Sequence, residues 1–591
     1  MRGESGLGQW LHDFALPRVR KPGRYTGGEW NQIVKSPPPK GAVHVLLIYP
    51  DIYEVGMSNL GLQILYGLLN ERPEVVCERA FSPWPDMEGL MRSHGIELFS
   101  LETKRPAREF DIIGFSLQTE LNFTNVLNLL DLARLPLRSE ERTVEHPLVI
   151  AGGPCTSNPE PMADFIDAFI IGDGEEAILE VVEVYKDWRR RLRRRRVSGE
   201  ADKRGWRRGL LLELSQIEGV YVPSLYKPEY DSKGRFVGLW PVEEGVPPTV
   251  RKRVVRDLDA VYFPERQIVP FIDIVHNRIT IEIARGCRYA CKFCQATCYY
   301  RGWRVRSAER ILELADKLVR STGFEEIGLT SLISTDHPEI EGIVEELLDR
   351  YRDYGLSVSL PSMRMDTFSV TLAGRLQGAR RTGLTFAPEA AHEALRFKVG
   401  KRIKDDEVWE ALEAALCSGW NSIKLYFMVG LPGEGEEDVL AIAELAEEVV
   451  RRAQRWMGRR FGRLRLHLSV APFVPKAQTP FQREGQMKRE ELQRRKGLLK
   501  GAIRSRRHIF LDFHDIGMSF VEAALSRADR RVAKAVELAW RGGCKFDAWG
   551  DKFSLKGWLS AFEGAGLKAE RYANESLPPE APLPWGHIRL G

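Results

Sequence analysis

Three cysteines in a fixed spacing constrain this chain more than any other feature. Cys287, Cys291 and Cys294 form the pattern Cys-x3-Cys-x2-Cys in IEIARGCRYACKFCQATCYY, directly after an apolar run that predicts a buried strand. The chain has eight cysteines in 591 residues, too few for a disulfide scaffold, yet four of them lie between Cys287 and Cys298. Cysteines clustered in this way indicate a metal or redox site.

The spacing favours an iron–sulfur cluster. Three thiolates on one tight loop can hold three irons of a [4Fe–4S] cluster and leave the fourth iron open to a ligand. Phe293, just before the last of the three ligands, is placed to shield such a cluster from water. Two alternatives remain: Cys298 can complete a closed four-cysteine set around zinc or a cluster, or two of the cysteines can form a redox disulfide.

Short apolar runs alternate with helical stretches through most of the chain, which predicts an α/β protein. Residues 1–40 are rich in Gly and Pro and predict an N-terminal arm. Residues 41–200 predict a Rossmann- or flavodoxin-like parallel sheet, because several of their apolar runs are uninterrupted, as in strands buried on both faces. A linker over 201–265 follows. Residues 506–591 predict a small C-terminal α+β domain.

Residues 266–505 contain six strand–helix repeats, which predict a partial (β/α)6 barrel of the TIM type. In such barrels the chemistry takes place at the carboxyl ends of the strands. The predicted strands are Ile279–Ala284, Glu326–Leu332, Val358–Arg364, Leu384–Ala390, Ser422–Val429 and Leu464–Ala471. Amphipathic helices are predicted between them over Ala308–Gly323, Glu339–Leu356, Thr371–Thr382, Glu407–Trp420 and Glu437–Trp456.

Composition narrows the class of protein. The chain is 43% apolar and 29% charged with a net charge of +5, which excludes wholesale disorder and does not by itself indicate a nucleic-acid binder. No apolar run reaches the ~18 residues that span a bilayer, and the N-terminus lacks the apolar core of a secretory signal. We therefore expect a cytoplasmic protein with no membrane partner.

A run of seven arginines in eight residues, Arg189–Arg196, is followed by Lys203, Arg204, Arg207 and Arg208. A solvated helix end is the favoured interpretation, because only Trp188 and Trp206 interleave the cations. Contact with RNA through clustered arginine is the alternative.

The cysteine spacing together with the six predicted barrel strands resembles the radical S-adenosylmethionine (radical SAM) superfamily. More narrowly, nearly the whole chain resembles an uncharacterised radical SAM family with a cobalamin-binding-like N-terminal domain, often fused to a further domain. The matching stretches are YPDIYEVGMSNLGLQILYGLLN, FDIIGFSLQTELNFTNVL, TFAPEAAHEALR, LYFMVGLPGEGEEDV, APFVPKAQTPFQ and WRGGCKFDAWGDKF. The chain stops after LPWGHIRLG, about where the fused domain would begin, so that domain is expected to be absent or separately encoded.

The resemblance implies an oxygen-sensitive enzyme in which the cluster cleaves SAM to methionine and a 5′-deoxyadenosyl radical, which abstracts hydrogen from a substrate. It also implies an electron donor of the flavodoxin or ferredoxin type. By strand position, Thr330 and Ser331 are expected at the SAM amino group, although the usual Gly-Gly-Glu signature is missing there. Arg364 is expected at the SAM carboxylate, Glu389 at the ammonium or ribose, and Gly430 at the adenine. A barrel-interior ion pair is the alternative for Arg364 and Glu389.

Cobalamin is the second cofactor that the resemblance raises. Domains that ligate cobalt through histidine carry Asp-x-His-x-x-Gly after their first strand, whereas this chain has Asp51-Ile-Tyr53-Glu-Val-Gly56. A phenol is a poor cobalt ligand, so imidazole ligation from this loop is excluded. Glycine turns after the fourth and fifth strands would let a flat macrocycle approach the backbone at the ligand-binding edge of the sheet. These turns contain Gly152, Gly153, Gly172 and Gly174.

Three functions remain open from the sequence. The first is a cobalamin-linked radical reaction such as methyl transfer to an unactivated carbon, with the N-terminal domain as the cobalamin site. The second is a cobalamin-independent radical SAM modification of RNA or protein, with that domain used for docking. The third is a non-catalytic iron–sulfur or RNA-binding protein.

Overall fold

A computed structural model describes residues 4–195, 197, 199–367, 374 and 383–591. The predicted helix Thr371–Thr382 and the arginine at position 196 therefore lie outside the described residues, apart from residue 374 of that helix. The strands are β1 Val43–Tyr49, β2 Val75–Phe81, β3 Ile112–Ser116, β4 Leu148–Gly152, β5 Ala168–Ile170, β6 Val220–Tyr221, β7 Tyr226–Tyr230, β8 Phe236–Pro241, β9 Val250–Arg251, β10 Ile279–Glu282, β11 Ala284–Arg285, β12 Arg304–Val305, β13 Glu326–Thr330, β14 Ser357–Ser359, β15 Leu384–Glu389, β16 Ser422–Val429, β17 Arg465–Pro472, β18 Ile509–Phe513 and β19 Ile588–Arg589.

Helices connect most of these strands. They are α1 Glu4–Gln9, α2 Tyr53–Gly56, α3 Leu60–Asn70, α4 Pro85–Ser93, α5 Phe123–Leu132, α6 Gly174–Arg193, α7 Glu200–Leu214, α8 Gln295–Tyr299, α9 Ala308–Thr322, α10 Ile340–Arg350, α11 Glu393–Lys398, α12 Asp405–Cys417, α13 Glu436–Met457, α14 Arg489–Ala502, α15 Ile516–Ser526, α16 Val532–Arg541, α17 Leu555–Gly564 and α18 Ala569–Ala573. None of the helices in the described residues combines the length and the apolar character needed to cross a bilayer.

The N-terminal sheet has the strand order β2-β1-β3-β4-β5-β6, and every pair is parallel except β5 with β6. All seven residues of β2 and six of the seven in β1 are buried, although Glu78 and Arg79 interrupt the apolar run of β2. The chain moves from β1 to β2 on one side and then to β3 on the other. Ligands of open α/β sheets bind at the carboxyl edge beside such a reversal.

Two parallel sheets lie in the region predicted as a partial barrel. The first has the order β10-β13-β14 and the second has the order β15-β16-β17-β18. Buried residues alternate with half-buried ones along β16, so one face of this strand is directed into the core. The strand β18 pairs in parallel with β17, and the second sheet therefore continues past residue 505. The α/β class and the parallel sheets expected from the sequence are confirmed.

The C-terminal helices pack against the N-terminal unit, where α16 contacts α5. Phe520 of α15 and Trp558 of α17 are fully buried in the same hydrophobic core as Val45 of β1 and Leu127 of α5. The last strand, β19, pairs in parallel with β9 of the segment that links the two α/β units. The C-terminal residues therefore connect the two units.

Candidate active site at the cysteine loop

The cysteine loop leaves the barrel at the carboxyl end of its first strand. After β10, the short strand β11 pairs with β12, and the loop then runs from Gly286 to Cys294, where α8 begins. Gly286 has a φ of +88°, and a Cβ there would lie 2.5 Å from the Tyr300 carbonyl oxygen. Glycine at this position therefore permits the sharp turn that opens the loop.

All three cysteines of the loop carry free thiols. Cys291 is buried, whereas Cys287 and Cys294 are half-buried. Burial raises the pKa of the Cys291 thiol to about 11; Lys401 and Arg364 act against this rise, and the neighbouring Cys294 and Cys287 add to it. Burial also raises the pKa of Cys287. Without a metal these two thiols are protonated at neutral pH, so metal binding would release protons.

The four-ligand zinc site that Cys298 could complete is not formed among the residues that the structure describes. Within the described part of the chain, no three His, Cys, Asp or Glu side chains lie close enough together to hold a single metal ion. Cys298 lies in α8, one turn after Cys294, and burial raises its pKa. None of the eight cysteines is in a disulfide.

Arg364 lies beside the loop and is already paired. Its guanidinium makes two hydrogen bonds of 2.9 Å to the Asp366 carboxylate, and it stacks 3.7 Å above the centre of the Tyr289 ring. The Tyr289 hydroxyl in turn donates to Asp336 Oδ1 over 3.3 Å. Arg364 therefore pairs with Asp366 and not with Glu389, and its stacking on Tyr289 places the guanidinium next to the residues between Cys287 and Cys291.

Glu389 ends β15 in an unusual backbone conformation. Its φ is +70°, and the register between β15 and β16 shifts between Phe386 and Glu389. The Glu389 carboxylate accepts a hydrogen bond of 2.9 Å from Lys401 Nζ. Sequence reasoning missed Lys401, although it lies in the segment that follows the APEA motif.

Phe293 packs in a small apolar cluster between the cysteine loop and the later barrel strands. Its neighbours in this cluster include Val399, Leu431 and Phe473. The loop is also tied to the barrel by its backbone, because the Lys292 amide donates to the Val399 carbonyl over 2.9 Å. Phe293 is therefore in a position to exclude water from one side of the loop.

Gly430 follows β16 with a φ of +88°. The Glu434 carboxylate accepts hydrogen bonds from the Gly430 amide at 3.0 Å and from the Leu431 amide at 3.2 Å, and it also pairs with Arg495. Burial raises the pKa of Glu434. The sequence analysis did not predict a role for this glutamate. Its position directly after the glycine turn, in GLPGEGE, could have indicated that it binds the backbone amides of the turn.

A cavity of about 400 Å³ lies between the N-terminal sheet and the start of the barrel. It is mostly apolar and brings together predicted residues from both units: Gly152, Gly153, Gly172 and Gly174 from the sheet and Thr330 and Ser331 from the barrel. Asp51, Tyr53, Gly56, Phe293, Arg364, Glu389 and Gly430 do not line it.

An arginine at the wall of this cavity connects the two units. Arg285 lies 2.6 Å from a Glu175 oxygen, 2.9 Å from a Glu282 oxygen and 3.2 Å from an Asp173 oxygen. Because Asp173 and Glu175 begin α6 of the first unit, these ion pairs hold the start of that helix against the barrel. Arg304 also pairs with Asp173 and strengthens this contact.

The Asp51–Gly56 segment turns its side chains into the protein. The Tyr53 hydroxyl donates to Glu29 Oε1 over 3.0 Å, and burial raises the pKa of this tyrosine. The Trp549 indole donates to Asp51 Oδ1 over 3.0 Å. Tyr53 is thus held by the N-terminal arm, and Asp51 is held by the C-terminal residues.

Several arginines of the basic run have acidic partners. Arg189 pairs with Asp111, Arg190 with Asp187, and Arg191 with Glu213. Arg207 is buried and pairs with Asp167. Arg190 and Arg191 are exposed, as expected for a solvated helix end, whereas the buried Arg207 departs from that expectation.

Two stretches of the chain match known families. Residues 61–223 match the family described as radical SAM proteins, N-terminal, and residues 281–446 match the radical SAM superfamily. The second stretch contains the three cysteines of the loop together with Arg364, Glu389 and Gly430.

Among curated proteins, the uncharacterized protein MJ0966 of Methanocaldococcus jannaschii is 24% identical over 530 residues, which cover 89% of this chain and 97% of that protein. The anaerobic magnesium-protoporphyrin IX monomethyl ester cyclase of Cereibacter sphaeroides is 22% identical over 311 residues, 50% of this chain and 42% of the cyclase. The match to the cyclase covers less than half of that protein, so we do not infer cyclase activity for this chain.

One solved structure resembles most of the fold. It is the radical SAM methyltransferase TsrM from Kitasatospora setae with cobalamin and a [4Fe–4S] cluster bound. It is 12% identical with a TM-score of 0.53, and the match covers 89% of this chain and 99% of TsrM. At this identity the likeness shows the fold alone. The two family matches, which together span more than half of the chain, show that it is an enzyme of the radical SAM superfamily.

Proposed function

We propose that Cys287, Cys291 and Cys294 bind a [4Fe–4S] cluster whose open iron takes SAM. The observation that carries the proposal is the loop itself: three free thiols at the carboxyl end of the first barrel strand, inside the segment that matches the superfamily. When bound, the cluster and SAM supply the 5′-deoxyadenosyl radical that abstracts hydrogen from the substrate. The substrate itself stays open, since a fold does not set its function.

The chain's own residues prepare this site. Gly286 allows the turn that opens the loop, and the cations of Lys401 and Arg364 lie close enough to Cys291 to favour its thiolate. Phe293 covers one side of the loop. We further propose that Arg364 and Glu389 orient SAM, with Thr330 and Ser331 at its amino group and Gly430 at its adenine.

We propose the 400 Å³ cavity as the cobalamin site. Its largely apolar lining and the glycine turns at the sheet edge suit a flat macrocycle. No ligand to cobalt would come from Tyr53, because this residue is hydrogen-bonded to Glu29 and does not line the cavity. With cobalamin bound, the enzyme would perform radical methyl transfer; without it, a cobalamin-independent modification of RNA or protein is the second candidate.

Anaerobic reconstitution tests the cluster. The wild-type protein should bind about four irons per chain and, with dithionite and SAM, should release 5′-deoxyadenosine. Cys291→Ala should lose the cluster absorbance and this product. Cys417→Ala, at an exposed cysteine outside the loop, serves as the matched control and should keep both. A wild-type protein that binds iron and does not cleave SAM would favour the non-catalytic alternative.

Cobalamin binding is tested separately by its visible spectrum after reconstitution. Leu65 lines the cavity, so Leu65→Trp should fill the space and reduce retained cobalamin while leaving the iron content unchanged. Wild-type protein that retains no cobalamin would contradict the cobalamin proposal and favour the cobalamin-independent reaction.

A further inference from the structure

Lys401 and Glu389 form a buried ion pair beside the cysteine loop. Lys401 Nζ lies 2.9 Å from Glu389 Oε1, and the two side chains are only 10% and 14% exposed. Opposite charges taken out of water depend strongly on each other, since removing either leaves the other without compensation. The electrostatic effect of Lys401 on its surroundings therefore depends on whether Glu389 is paired with Lys401 or with another group.

The segment that carries Lys401 is fixed against the loop. The Lys292 amide donates to the Val399 carbonyl over 2.9 Å. Gly400 has a φ of +82°, and a Cβ on it would lie 2.5 Å from the Ala290 carbonyl oxygen. The same Cβ would lie 3.4 Å from the Cys291 Cα, so the residue before Lys401 is in direct contact with the cysteine loop.

Glu389 is held toward Lys401 by a strained backbone. Its φ of +70° falls at the register shift that ends β15. A non-glycine residue in this left-handed conformation is strained and persists where the surrounding structure imposes it. The carboxylate thus has a defined position between Lys401 and the carboxyl end of its strand, where a ligand of the barrel would bind.

We propose that Lys401 stabilises the reduced form of the cluster and that its pairing with Glu389 weakens this effect until a cationic group of SAM pairs with Glu389. The inference rests on the proposed function, because it requires the cluster and SAM. Reduction adds one electron, supplied by an external reductant such as dithionite, and no bond changes in this step. A nearby positive charge favours the reduced state, so SAM binding would make the cluster easier to reduce.

The test is a redox titration of the reconstituted protein, with the reduced cluster measured by electron paramagnetic resonance with and without SAM. With SAM bound, Lys401→Met should lower the ratio of reduced to oxidised cluster about tenfold at a fixed potential, which corresponds to about 59 mV for one electron. Lys401→Arg should stay close to wild type. Glu389→Gln should raise the ratio without SAM and reduce the further change on SAM addition. Lys404→Met, at an exposed lysine, is the control and should behave as wild type.

Two results would overturn the inference: a wild-type ratio in Lys401→Met with SAM bound, or a wild-type ratio in Glu389→Gln without SAM. If Lys401→Met does not fold, Glu389→Gln decides. Iron content and 5′-deoxyadenosine release are measured on the same samples. A wild-type protein that fails these two assays contradicts the proposed function, whereas one that passes them while the variants titrate like wild type contradicts only the role of Lys401.

Discussion

Individual residues around the cysteine loop show how much the environment changes a side chain. The Cys291 thiol, with a pKa near 11, is a poor ligand until a metal replaces its proton. Arg364 and Lys401 both act on this thiol, yet each also has a carboxylate partner of its own. The positive charge near the loop therefore depends on both members of each ion pair. A substitution of either carboxylate should change the effect of its cation on the cysteine loop.

A buried carboxylate far from the loop gives a prediction for pH. Asp547 is fully buried, accepts a hydrogen bond of 2.7 Å from the Thr124 hydroxyl, and has its pKa raised by burial to about 6 from 3.8. The folded protein holds this proton more tightly than the unfolded chain, so stability is present at low pH and falls as the pH rises from about 3.8 to 6.

Asp547→Asn should therefore stabilise the protein above pH 6, by about 3 kcal/mol from the size of the shift. The gain should shrink as the pH falls from 6 toward 4. Urea unfolding followed by tryptophan fluorescence at several pH values measures it. Asp551→Asn removes an exposed carboxylate and should show no such trend. A gain that stays constant with pH would contradict the assignment.

At the scale of elements, the loops after the barrel strands are shaped by partners that lie farther along the chain. The turn after β16 is the clearest case, since Glu434 accepts hydrogen bonds from two backbone amides and pairs with Arg495 of α14. In the same way, the end of β15 is held by Lys401, which lies in the segment after α11. These contacts define the edge of the barrel at which we propose that SAM binds.

Glu434→Ala should loosen the turn after β16. Hydrogen bonds to a charged group contribute about 1.5–3 kcal/mol, so amide exchange at Gly430 and Leu431 should become roughly ten to a hundred times faster. Hydrogen–deuterium exchange with mass spectrometry measures this rate. Glu444→Ala, at an exposed position of α13, is the control. Unchanged exchange at Gly430 would show that the carboxylate does not order the turn.

At the scale of the molecule, the C-terminal residues join the two α/β units. Lys476, which follows β17 of the barrel, lies 2.6 Å from Glu120 of the first unit and 2.6 Å from Glu522 of α15. Glu160 of the first unit pairs with Arg530 near the C-terminus. Because the cavity lies between the same two units, its shape depends on these contacts.

Lys476→Met should destabilise the whole protein by about 3 kcal/mol, the cost of leaving a buried charge without its partner. Adding Glu120→Gln should recover part of this loss, because one of the two orphaned carboxylates is then removed. Arg352→Met breaks an exposed ion pair and should cost less than about 1 kcal/mol. Urea unfolding measures all three variants. Equal losses in Lys476→Met and Arg352→Met would show that the buried contact adds nothing to stability.

Much of the architecture could be predicted because it depends on the local order of apolar and polar residues in the sequence. The buried strands appear as short, mainly apolar runs, and Ser422–Val429 was predicted with the bounds that β16 has. The strand β18 was not expected in the barrel, because residues 506–591 were assigned to a separate C-terminal domain. The predicted domain boundaries stay a prediction.

The sequence by itself determined the cysteine loop, the strands that carry it and the glycines at their ends. These features depend on residue spacing and backbone conformation, which neighbouring residues dictate. Only the tertiary structure decided that Tyr53 pairs with Glu29, that Lys401 pairs with Glu389, and that the C-terminal helices complete the core of the first unit. These pairings join residues that packing brings together, and packing depends on the whole chain at once.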